Sequence, residues 1–143
     1  MIKVVLDANV FVSALLVPGS NASTILDLVR TRKLELLVSK SIMFEIGKVL
    51  QYPKIKKRHC MAPEELDEFL DSCVQFATVT PEKLKVKTIE DDPADDKYLA
   101  CASEGKADFI VSGDHHLTDL EMFQGIRIVN PATFLKFIRE GNS

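Results

Sequence analysis

The sequence predicts an α/β protein, a three-layer α/β/α sandwich with a central parallel sheet. Short apolar runs rich in β-branched residues alternate along the chain with longer segments of helical periodicity, and this alternation is typical of strand–helix–strand units. No internal repeat, low-complexity tract or long linker divides the 143 residues, and this length fits one domain better than two. We therefore predict a single domain over residues 1–143.

Composition excludes several classes of protein but does not indicate a partner. Hydrophobic residues make up 46% and charged residues 27% of the chain, which excludes a disordered tail, a collagen-like fibre and a coiled-coil rod. The 18 basic and 21 acidic side chains give a net charge of −3. A nucleic-acid partner would therefore have to be bound by local basic patches.

The sequence lacks the marks of a membrane or secreted protein. The longest uncharged run, Ala8–Leu26, is interrupted by PGSN at 18–21 and cannot supply the ~20 apolar residues of a membrane span. The start of the chain lacks the layout of a signal peptide.

Cys60, Cys73 and Cys101 form no CxxC pair, and their odd number is a poor disulfide framework. We expect a cytoplasmic protein with reduced, buried cysteines.

Five strands and five helices are predicted. The strands are short apolar runs, and the helices start at Ser, Asn or Pro. The predicted strands are Ile2–Leu6, Leu34–Val38, a weaker Val74–Val79, Phe109–Val111 and Ile126–Val129. The predicted helices are Ser23–Arg32 capped by Asn21 or Ser23, one from Ser39 or Ser41 to Tyr52 that Pro53 ends, one from Pro63, one from Pro93 to near Gly105, and one from Pro131 to Gly141.

Two aspartates follow predicted strands. Asp7 comes directly after the first strand, and Asp114 follows the strand Phe109–Val111 by three residues. In open parallel sheets, sites form outside the carboxyl ends of the strands, so both carboxylates are candidate site residues. The alternative is that each caps the helix or turn that follows it.

Glu45 lies at the border of a helix's apolar stripe. Ile42, Ile46 and Val49 belong to that stripe, and Glu45 is about 40° from Val49 around the helix axis. Lys48 faces farther outward. The Glu45 side chain either snorkels at the edge of the core or points into a cleft at the strand ends.

A run of acidic residues opens the fourth helix. Five acids occupy the seven positions from Glu90 to Asp96, and most of them are explained by a solvated loop and helix capping. The segment 98–102 that follows is apolar all round, so the helix start must lie near the sheet edge. Since successive helix positions diverge by ~100°, at most one of Asp95 and Asp96 points into the cleft.

Converging carboxylates require either protonation or a cation, because two charges 4 Å apart repel by about 4 kcal/mol at an effective dielectric constant of 20. With oxygen ligands and no cysteine pair, Mg²⁺ or Mn²⁺ is expected rather than zinc. His115 and His116 are adjacent in sequence and lack a third histidine nearby, so a zinc site is disfavoured.

Four motifs in order resemble the PIN domain, and more narrowly the VapC-like ribonucleases of toxin–antitoxin pairs. The motifs are DANVFVSAL from Asp7, then Glu45, then DKYLACA from Asp96, then FIVSGD from Phe109 to Asp114. The resemblance implies that Asp7, Glu45, Asp96 and Asp114 are an acidic quartet that is catalytic and binds Mg²⁺ or Mn²⁺, and it favours Asp96 over Asp95. It also implies supporting roles for Asn9 and Ser112. One departure is His116, which stands where many relatives carry a further acid.

The resemblance implies a divalent-metal-dependent ribonuclease that hydrolyses RNA phosphodiester bonds, with a cognate antitoxin protein and a homodimeric state. Asp7, Asp96 and Asp114 would hold one ion, and Glu45 with Asp7 would complete or bridge a second. RNA phosphates would be bound by basic patches. The first patch is Lys54, Lys56, Lys57 and Arg58, with Tyr52 nearby, and the second is Arg30, Arg32 and Lys33. Each patch is equally well explained as a solvated helix end.

Two other functions are considered, of which the first remains open and the second is disfavoured. The first is a catalytically idle PIN-like module that binds RNA or a protein partner, which His116 and the modest basic charge keep in consideration. The second is a phosphotransfer domain with the same α/β layout. The haloacid-dehalogenase kind needs Asp-x-Asp after its first strand, whereas this chain has Asn9. A receiver domain would need paired acids near the first strand and a lysine after a late strand, and neither is present.

Overall fold

The computed structural model describes residues 1–83 and 96–141. In these parts of the chain, six strands form one sheet and eight helices surround it. The strands are β1 (Lys3–Leu6), β2 (Glu35–Val38), β3 (Thr78–Val79), β4 (Phe109–Val111), β5 (Met122–Phe123) and β6 (Ile126–Val129). The helices are α1 (Ala8–Leu16), α2 (Asn21–Arg30), α3 (Lys40–Leu50), α4 (Pro53–His59), α5 (Pro63–Val74), α6 (Asp96–Gly105), α7 (His115–Thr118) and α8 (Pro131–Arg139).

The strand order across the sheet is β3-β2-β1-β4-β6-β5. All neighbouring strands are parallel except β5 and β6, which pair antiparallel at one edge. The chain moves outward from β1 in one direction through β2 and β3, and in the other direction through β4. The gap between the carboxyl ends of β1 and β4 is therefore the point where the strand order reverses, and such points form ligand-binding crevices in open α/β sheets.

Both faces of the sheet are covered. Val4 and Val5 are consecutive in β1 and point to opposite faces, yet both are fully buried, as is Ile110 of β4. Helix α6 packs against β1, β2 and β4, and Phe134 of α8 contacts the ring of Phe109 edge to face, with ring centroids 5.1 Å apart. The predicted three-layer α/β/α architecture is confirmed.

Two strand predictions need correction. The weak candidate at 74–79 contributes only Thr78–Val79, because Val74 is the last residue of α5. Strand β5 was not expected, since its two residues carry little sequence signal. It pairs with β6 through a two-residue turn in which Gln124 and Gly125 have φ of 52° and 81°, the left-handed conformation that tight hairpins require.

Helix boundaries also differ from the sequence predictions. Ser20, rather than Asn21 or Ser23, caps α2, and its Oγ accepts the backbone N–H of Ser23 at 3.2 Å. Helix α3, which was predicted to end at Tyr52, ends at Leu50. Pro53 follows this helix and is also the first residue of α4. Proline is favoured at the first helical position because its missing N–H would have no intrahelical partner there. Helices α1 and α7 were not predicted as helices, although Asp7 and Asp114 were recognised as possible caps.

The cysteines are free, as predicted, but they are not all buried. Cys73 of α5 and Cys101 of α6 are buried in the core, whereas Cys60 is exposed. Cys60 follows α4 and has a left-handed backbone with φ of 52°. It ends the helix at the surface, so it does not contribute to the core.

No single helix in the described parts of the chain is long and apolar enough to cross a membrane. Within the same residues, one pair of consecutive helices, α1 and α2, has the length and apolar composition of a membrane span when taken together, but the two helices are bent by 103° relative to each other. Both helices contribute buried residues to the core, among them Phe11 and Ile25. Their apolar character is therefore accounted for by packing inside the protein.

Replacement by alanine should change the stability of the protein in opposite directions at two glycines. A Cβ at Gly47 of α3 meets no atom within 4 Å, whereas a Cβ at Gly105 of α6 lies 2.6 Å from Cδ1 of the buried Leu37. We expect Gly47→Ala to raise the free energy of unfolding by about 0.5–1 kcal/mol through helix propensity. We expect Gly105→Ala to lower it by about 1–3 kcal/mol through overpacking. Urea unfolding of both variants tests this, and equal effects would contradict the packing at Leu37.

Candidate active site

Asp7 and Asp114 lie at the point where the strand order reverses. Asp7 follows β1 directly, and its backbone N–H donates to the carbonyl oxygen of Val111 in β4 at 3.1 Å. Asp114 lies three residues beyond β4, at the start of α7. The two strands pair in parallel register, so both aspartates lie at the same edge of the sheet, as the sequence predicts.

Ser112 joins the two aspartates in one hydrogen-bonded unit. Its hydroxyl donates to Asp7 Oδ2 and accepts the backbone N–H of Asp114 at 2.9 Å. The other Asp7 oxygen, Oδ1, accepts the backbone N–H of Val10 at 3.1 Å. Ser112 is fully buried, so its hydroxyl cannot rotate away to water. The supporting role of Ser112 that the motif resemblance implies stays a prediction.

Asp7 is almost completely buried, with 3% of its surface exposed. Burial raises the pKa of its carboxyl group, hydrogen bonds from Ser112 and the backbone oppose the shift, and the charge of Asp114 adds to it. Desolvation and a neighbouring like charge both disfavour the ionised form. A cation at this edge would remove both penalties, because it would compensate the buried negative charge.

Both aspartates also cap helices. Asp7 caps α1, and Asp114 caps α7 by accepting the backbone N–H of His116 at Oδ1, at 2.8 Å. Capping and site formation, which the sequence left as alternatives, therefore apply together. The structure places the His116 side chain on the surface.

Glu45 is held from two sides. Its Oε2 accepts the Tyr98 hydroxyl at 2.5 Å and forms an ion pair with Lys97 Nζ at 2.9 Å. The Tyr98 hydroxyl in turn accepts the backbone N–H of Ala8 at 3.1 Å. Ala8 follows Asp7, so Tyr98 links the Glu45 carboxylate of α3 to the residue next to Asp7.

These contacts set the ionisation of Glu45 and Tyr98. Burial alone would raise the pKa of Glu45, but hydrogen bonds from Tyr98 and Lys97 and the charges of Lys97 and Lys48 lower it overall. Burial, together with the Glu45 carboxylate, raises the pKa of Tyr98 above its usual range. Glu45 is therefore an anion at neutral pH and Tyr98 a neutral hydrogen-bond donor.

Asp96 is the first described residue of α6 and is half-buried, and the predicted start of this helix at Pro93 lies outside the described residues. It directly precedes Lys97 and Tyr98, the two partners of Glu45, so it lies at the same helix end. The acidic residues 90–95, including Asp95, lie outside the described residues. Asn9 is exposed in the first turn of α1, and its backbone N–H contributes to lowering the pKa of Asp7.

The chemistry of the site fits a divalent cation at Asp7 and Asp114. Both supply carboxylate oxygens, the ligands that Mg²⁺ and Mn²⁺ prefer, and the buried Asp7 charge has no cationic partner among the described residues. Within residues 1–83 and 96–141, however, no three acidic, histidine or cysteine side chains are grouped to hold a metal. Glu45 is meanwhile bound to Lys97 and Tyr98, and the assignment of Asp7, Glu45, Asp96 and Asp114 as one metal-binding quartet stays a prediction.

The two predicted basic patches differ. Lys54, Lys56, Lys57 and Arg58 are all exposed on α4, and Tyr52 at its start is 45% exposed. The second patch is partly engaged in packing. The Arg30 guanidinium lies 5.3 Å from the Phe69 ring centroid and contacts Cys73, and the Arg32 guanidinium lies 4.4 Å from the Phe76 ring centroid.

Tyr98 and Lys97 are the residues that sequence reasoning missed as partners of Glu45. They are 53 and 52 positions away in sequence, and only the packing of α6 against α3 brings them together. The sequence offered one signal, an aromatic hydroxyl in the apolar segment 98–102, because a buried tyrosine usually needs a hydrogen-bond partner.

Ser112→Ala tests whether the Asp7–Ser112–Asp114 unit supports a metal. Loss of the hydroxyl leaves Asp7 Oδ2 and the Asp114 N–H without a shared partner. We expect a 10- to 100-fold loss of Mn²⁺ affinity, a typical effect for such supporting groups, and about 1–3 kcal/mol lower free energy of unfolding. Isothermal titration calorimetry with Mn²⁺ measures the metal affinity. Ser13→Ala, at an exposed position, is the control and should bind Mn²⁺ as the wild type does. Unchanged affinity would contradict the assignment.

Comparisons with known proteins agree with this architecture. A sequence profile described as "PIN domain" matches residues 3–116. The chain is 33% identical over 119 residues to the uncharacterized protein MJ1680 of Methanocaldococcus jannaschii, covering 83% of this chain and 75% of that protein. Its fold resembles the crystal structure of PAE2754 from Pyrobaculum aerophilum, with a TM-score of 0.56 and 14% sequence identity, covering 97% of this chain and 98% of that one.

Proposed function

The chain belongs to the PIN-domain family, whose members are generally nucleases that use divalent metals, and from this membership we propose that it is a divalent-metal-dependent endoribonuclease. The proposed reaction is hydrolysis of RNA phosphodiester bonds with Mg²⁺ or Mn²⁺. The observation that carries the proposal is the Asp7–Ser112–Asp114 unit at the carboxyl ends of β1 and β4.

Asp7 and Asp114 would hold the metal, and the carboxylates of Glu45 and Asp96 would complete its set of ligands. When bound, the ion supplies positive charge that stabilises the negative charge developing on the phosphate. Ser112 keeps the Asp7 carboxylate fixed by donating to Oδ2. Burial of this carboxylate excludes water from one side, and this strengthens its interaction with a cation.

Tyr98 and Lys97 hold Glu45 as an anion in a fixed orientation. A carboxylate with a lowered pKa is ionised at neutral pH, so it can attract a cation without prior deprotonation. Lys97 supplies the positive charge beside Glu45 when no metal is bound. A metal would compete with Lys97 for this carboxylate.

Cleavage of a mixed single-stranded RNA pool tests the proposal. We expect cleavage with Mg²⁺ or Mn²⁺, no cleavage in EDTA, and no cleavage by Asp114→Asn. His116→Ala is the matched control, because its side chain is exposed and only its backbone contacts Asp114; it should retain activity. Metal-independent RNA retention without cleavage would instead support the idle binding module.

The finer assignment within the family is the toxin of a toxin–antitoxin pair, with a cognate antitoxin protein as inhibitor and a homodimer as the active form. It is supported by the motif resemblance of Asp7, Glu45, Asp96 and Asp114 to VapC-like ribonucleases. Induced expression of the chain should then arrest growth, and Asp7→Asn should relieve the arrest at equal protein level. Arrest that persists in the variant would contradict a nuclease toxin.

A further inference from the structure

A groove of about 510 Å³ lies beside Glu45, between α3 and the first turn of α6. Its lining residues are Lys40, Ser41, Phe44, Glu45, Lys48 and Lys97. Three lysines thus line it with one glutamate, and that glutamate is already paired with Lys97. Glu82 lies close by, where its Oε1 accepts the Ser41 backbone N–H at 2.6 Å. Among the described residues that line the groove the charge is net positive, although the chain carries a net charge of −3, so these residues favour an anionic ligand.

Phe44 is unusual for a large apolar side chain because 75% of its surface is exposed. It lies between Lys40 and Lys48 at intervals of four residues, so the three side chains follow one face of α3. Gly47 lies on the same side of the helix, and even a Cβ there would meet no atom within 4 Å. The face of α3 therefore presents an aromatic ring between two ammonium groups, with open space beside it.

We propose that this groove binds single-stranded RNA, with a base stacked on Phe44 and phosphates bound by Lys40 and Lys48. This inference rests on the proposed function and names the surface that carries its substrate. Grooves that bind single strands combine positive charge along the backbone with aromatic side chains on which bases stack. The centres of protein–protein interfaces are instead depleted in lysine, so the three lysines favour a nucleic acid over a protein partner.

The groove leads to the proposed catalytic acids. Glu45 is part of its lining, and the Tyr98 hydroxyl bonded to Glu45 also accepts the N–H of Ala8, next to Asp7. A strand lying along α3 would therefore reach the carboxylates at the end of β1. The patch on α4 lacks such a link through hydrogen bonds to Glu45 among the described residues.

Binding is measured in EDTA, so that no cleavage accompanies it, with a fluorescein-labelled single-stranded RNA of roughly 12 nucleotides and mixed sequence. We expect Phe44→Ala to raise the Kd roughly 5- to 100-fold, the range found for loss of one base–aromatic stack. Phe44→Trp, which keeps an aromatic ring at this position, should bind RNA with the wild-type Kd. Met122→Ala, at an exposed apolar side chain outside the groove and outside both basic patches, is the control and should leave the Kd unchanged. A duplex of the same sequence, whose bases are not free to stack, should be insensitive to Phe44→Ala.

The charge contribution is tested by Lys40→Ala/Lys48→Ala against Lys106→Ala/Lys136→Ala. Both pairs remove two positive charges, but only the first pair lines the groove. We expect the first pair to weaken binding and to reduce the slope of log Kd against log salt by about 0.7 for each lost phosphate contact. The second pair should change neither. Lys56→Ala/Lys57→Ala examines the competing site on α4.

The outcomes distinguish this inference from the proposed function. Loss of binding in Phe44→Ala and Lys40→Ala/Lys48→Ala, with binding retained in Asp114→Asn, supports the groove whether or not the wild type cleaves RNA. Unchanged Kd in both groove variants, or loss only in Lys56→Ala/Lys57→Ala, overturns it even if cleavage is observed. Unchanged RNA binding by Phe44→Ala with an altered oligomeric state in sedimentation would overturn it in favour of a contact between two copies of the chain.

Discussion

Asp7→Asn is expected to abolish metal-dependent RNA cleavage and, at the same time, to stabilise the metal-free protein at neutral pH. Removal of the carboxylate charge removes the cation's partner, and a bound metal contributes several kcal/mol to catalysis, so we expect at least about a thousandfold loss of rate. The Asn Oδ1 can still accept the Val10 N–H that Asp7 accepts, and the Asn Nδ2 can donate to the Ser112 oxygen, which reverses the hydrogen bond that Ser112 donates to Asp7. The buried charge is gone, so the free energy of unfolding in EDTA should rise by on the order of 1 kcal/mol, a few degrees in Tm.

The same substitution predicts a pH dependence with a definite sign. Because burial raises the pKa of Asp7 above its usual value of 3.8, the folded state binds a proton more readily than the unfolded state. The contribution of Asp7 to the stability of the metal-free wild type should therefore be lost as the pH rises from near 3.8 through the folded-state pKa. Asp7→Asn lacks this loss, so the difference in Tm between the two proteins should grow over this interval and then remain constant.

Asp67→Asn, at an exposed position of α5, controls for the change in net charge. It should leave cleavage and Tm unchanged. If Asp7→Asn instead lowered the Tm of the metal-free protein by several degrees while Asp67→Asn did not, Asp7 would be a helix cap whose carboxylate is needed for folding. The assignment of a metal site to this edge of the sheet would then fail.

Tyr98→Phe should have the second-largest effect. It removes the hydroxyl that donates to Glu45 Oε2 at 2.5 Å and accepts the Ala8 N–H at 3.1 Å. The buried Ala8 N–H then lacks its acceptor, and we expect about 1–3 kcal/mol lower free energy of unfolding. Because Tyr98 acts through Glu45, it is a positioning residue, and we expect kcat to fall 10- to 100-fold with little change in KM.

A pH profile separates this role from a purely structural one. The Tyr98 hydrogen bond lowers the pKa of Glu45, so its loss should shift the acidic limb of the kcat profile to higher pH. Tyr52→Phe is the matched control, because Tyr52 is exposed at the start of α4, and its profile should equal that of wild type. A lower Tm for Tyr98→Phe with an unshifted profile would leave Tyr98 without a role at the site.

The sequence was sufficient to predict the centre of the fold and part of the site. Strand β1 and the aspartate after it are marked by adjacent residues, and so are β4 and Asp114, because a buried parallel strand is a continuous apolar run. Parallel pairing of β1 and β4 then places both carboxylates at one edge. Ser112 was assigned by motif resemblance, and its hydrogen bonds to Asp7 and Asp114 give this assignment a physical basis.

The remaining features depend on contacts between distant parts of the chain. The orientation of Glu45 follows from Tyr98 and Lys97, and no local pattern encodes a hydrogen bond across more than 50 positions. Helix α4 was missed because Pro53 was interpreted only as the end of a helix, although proline also begins helices. Strand β5 was missed because Gln124-Gly125 is a weaker hairpin signal than Asn-Gly or Asp-Gly.

The most direct test of the metal site is to locate the ion. Crystals of the protein soaked in Mn²⁺, measured by anomalous diffraction, should show a peak bounded by the carboxylates of Asp7 and Asp114, and crystals of Asp7→Asn soaked in the same way should lack it. A peak at this edge that is lost in the variant would establish the site on which the proposed nuclease depends. Crystals of protein that cleaves RNA with Mn²⁺ but shows no peak at Asp7 and Asp114, or an equal peak in Asp7→Asn, would contradict it.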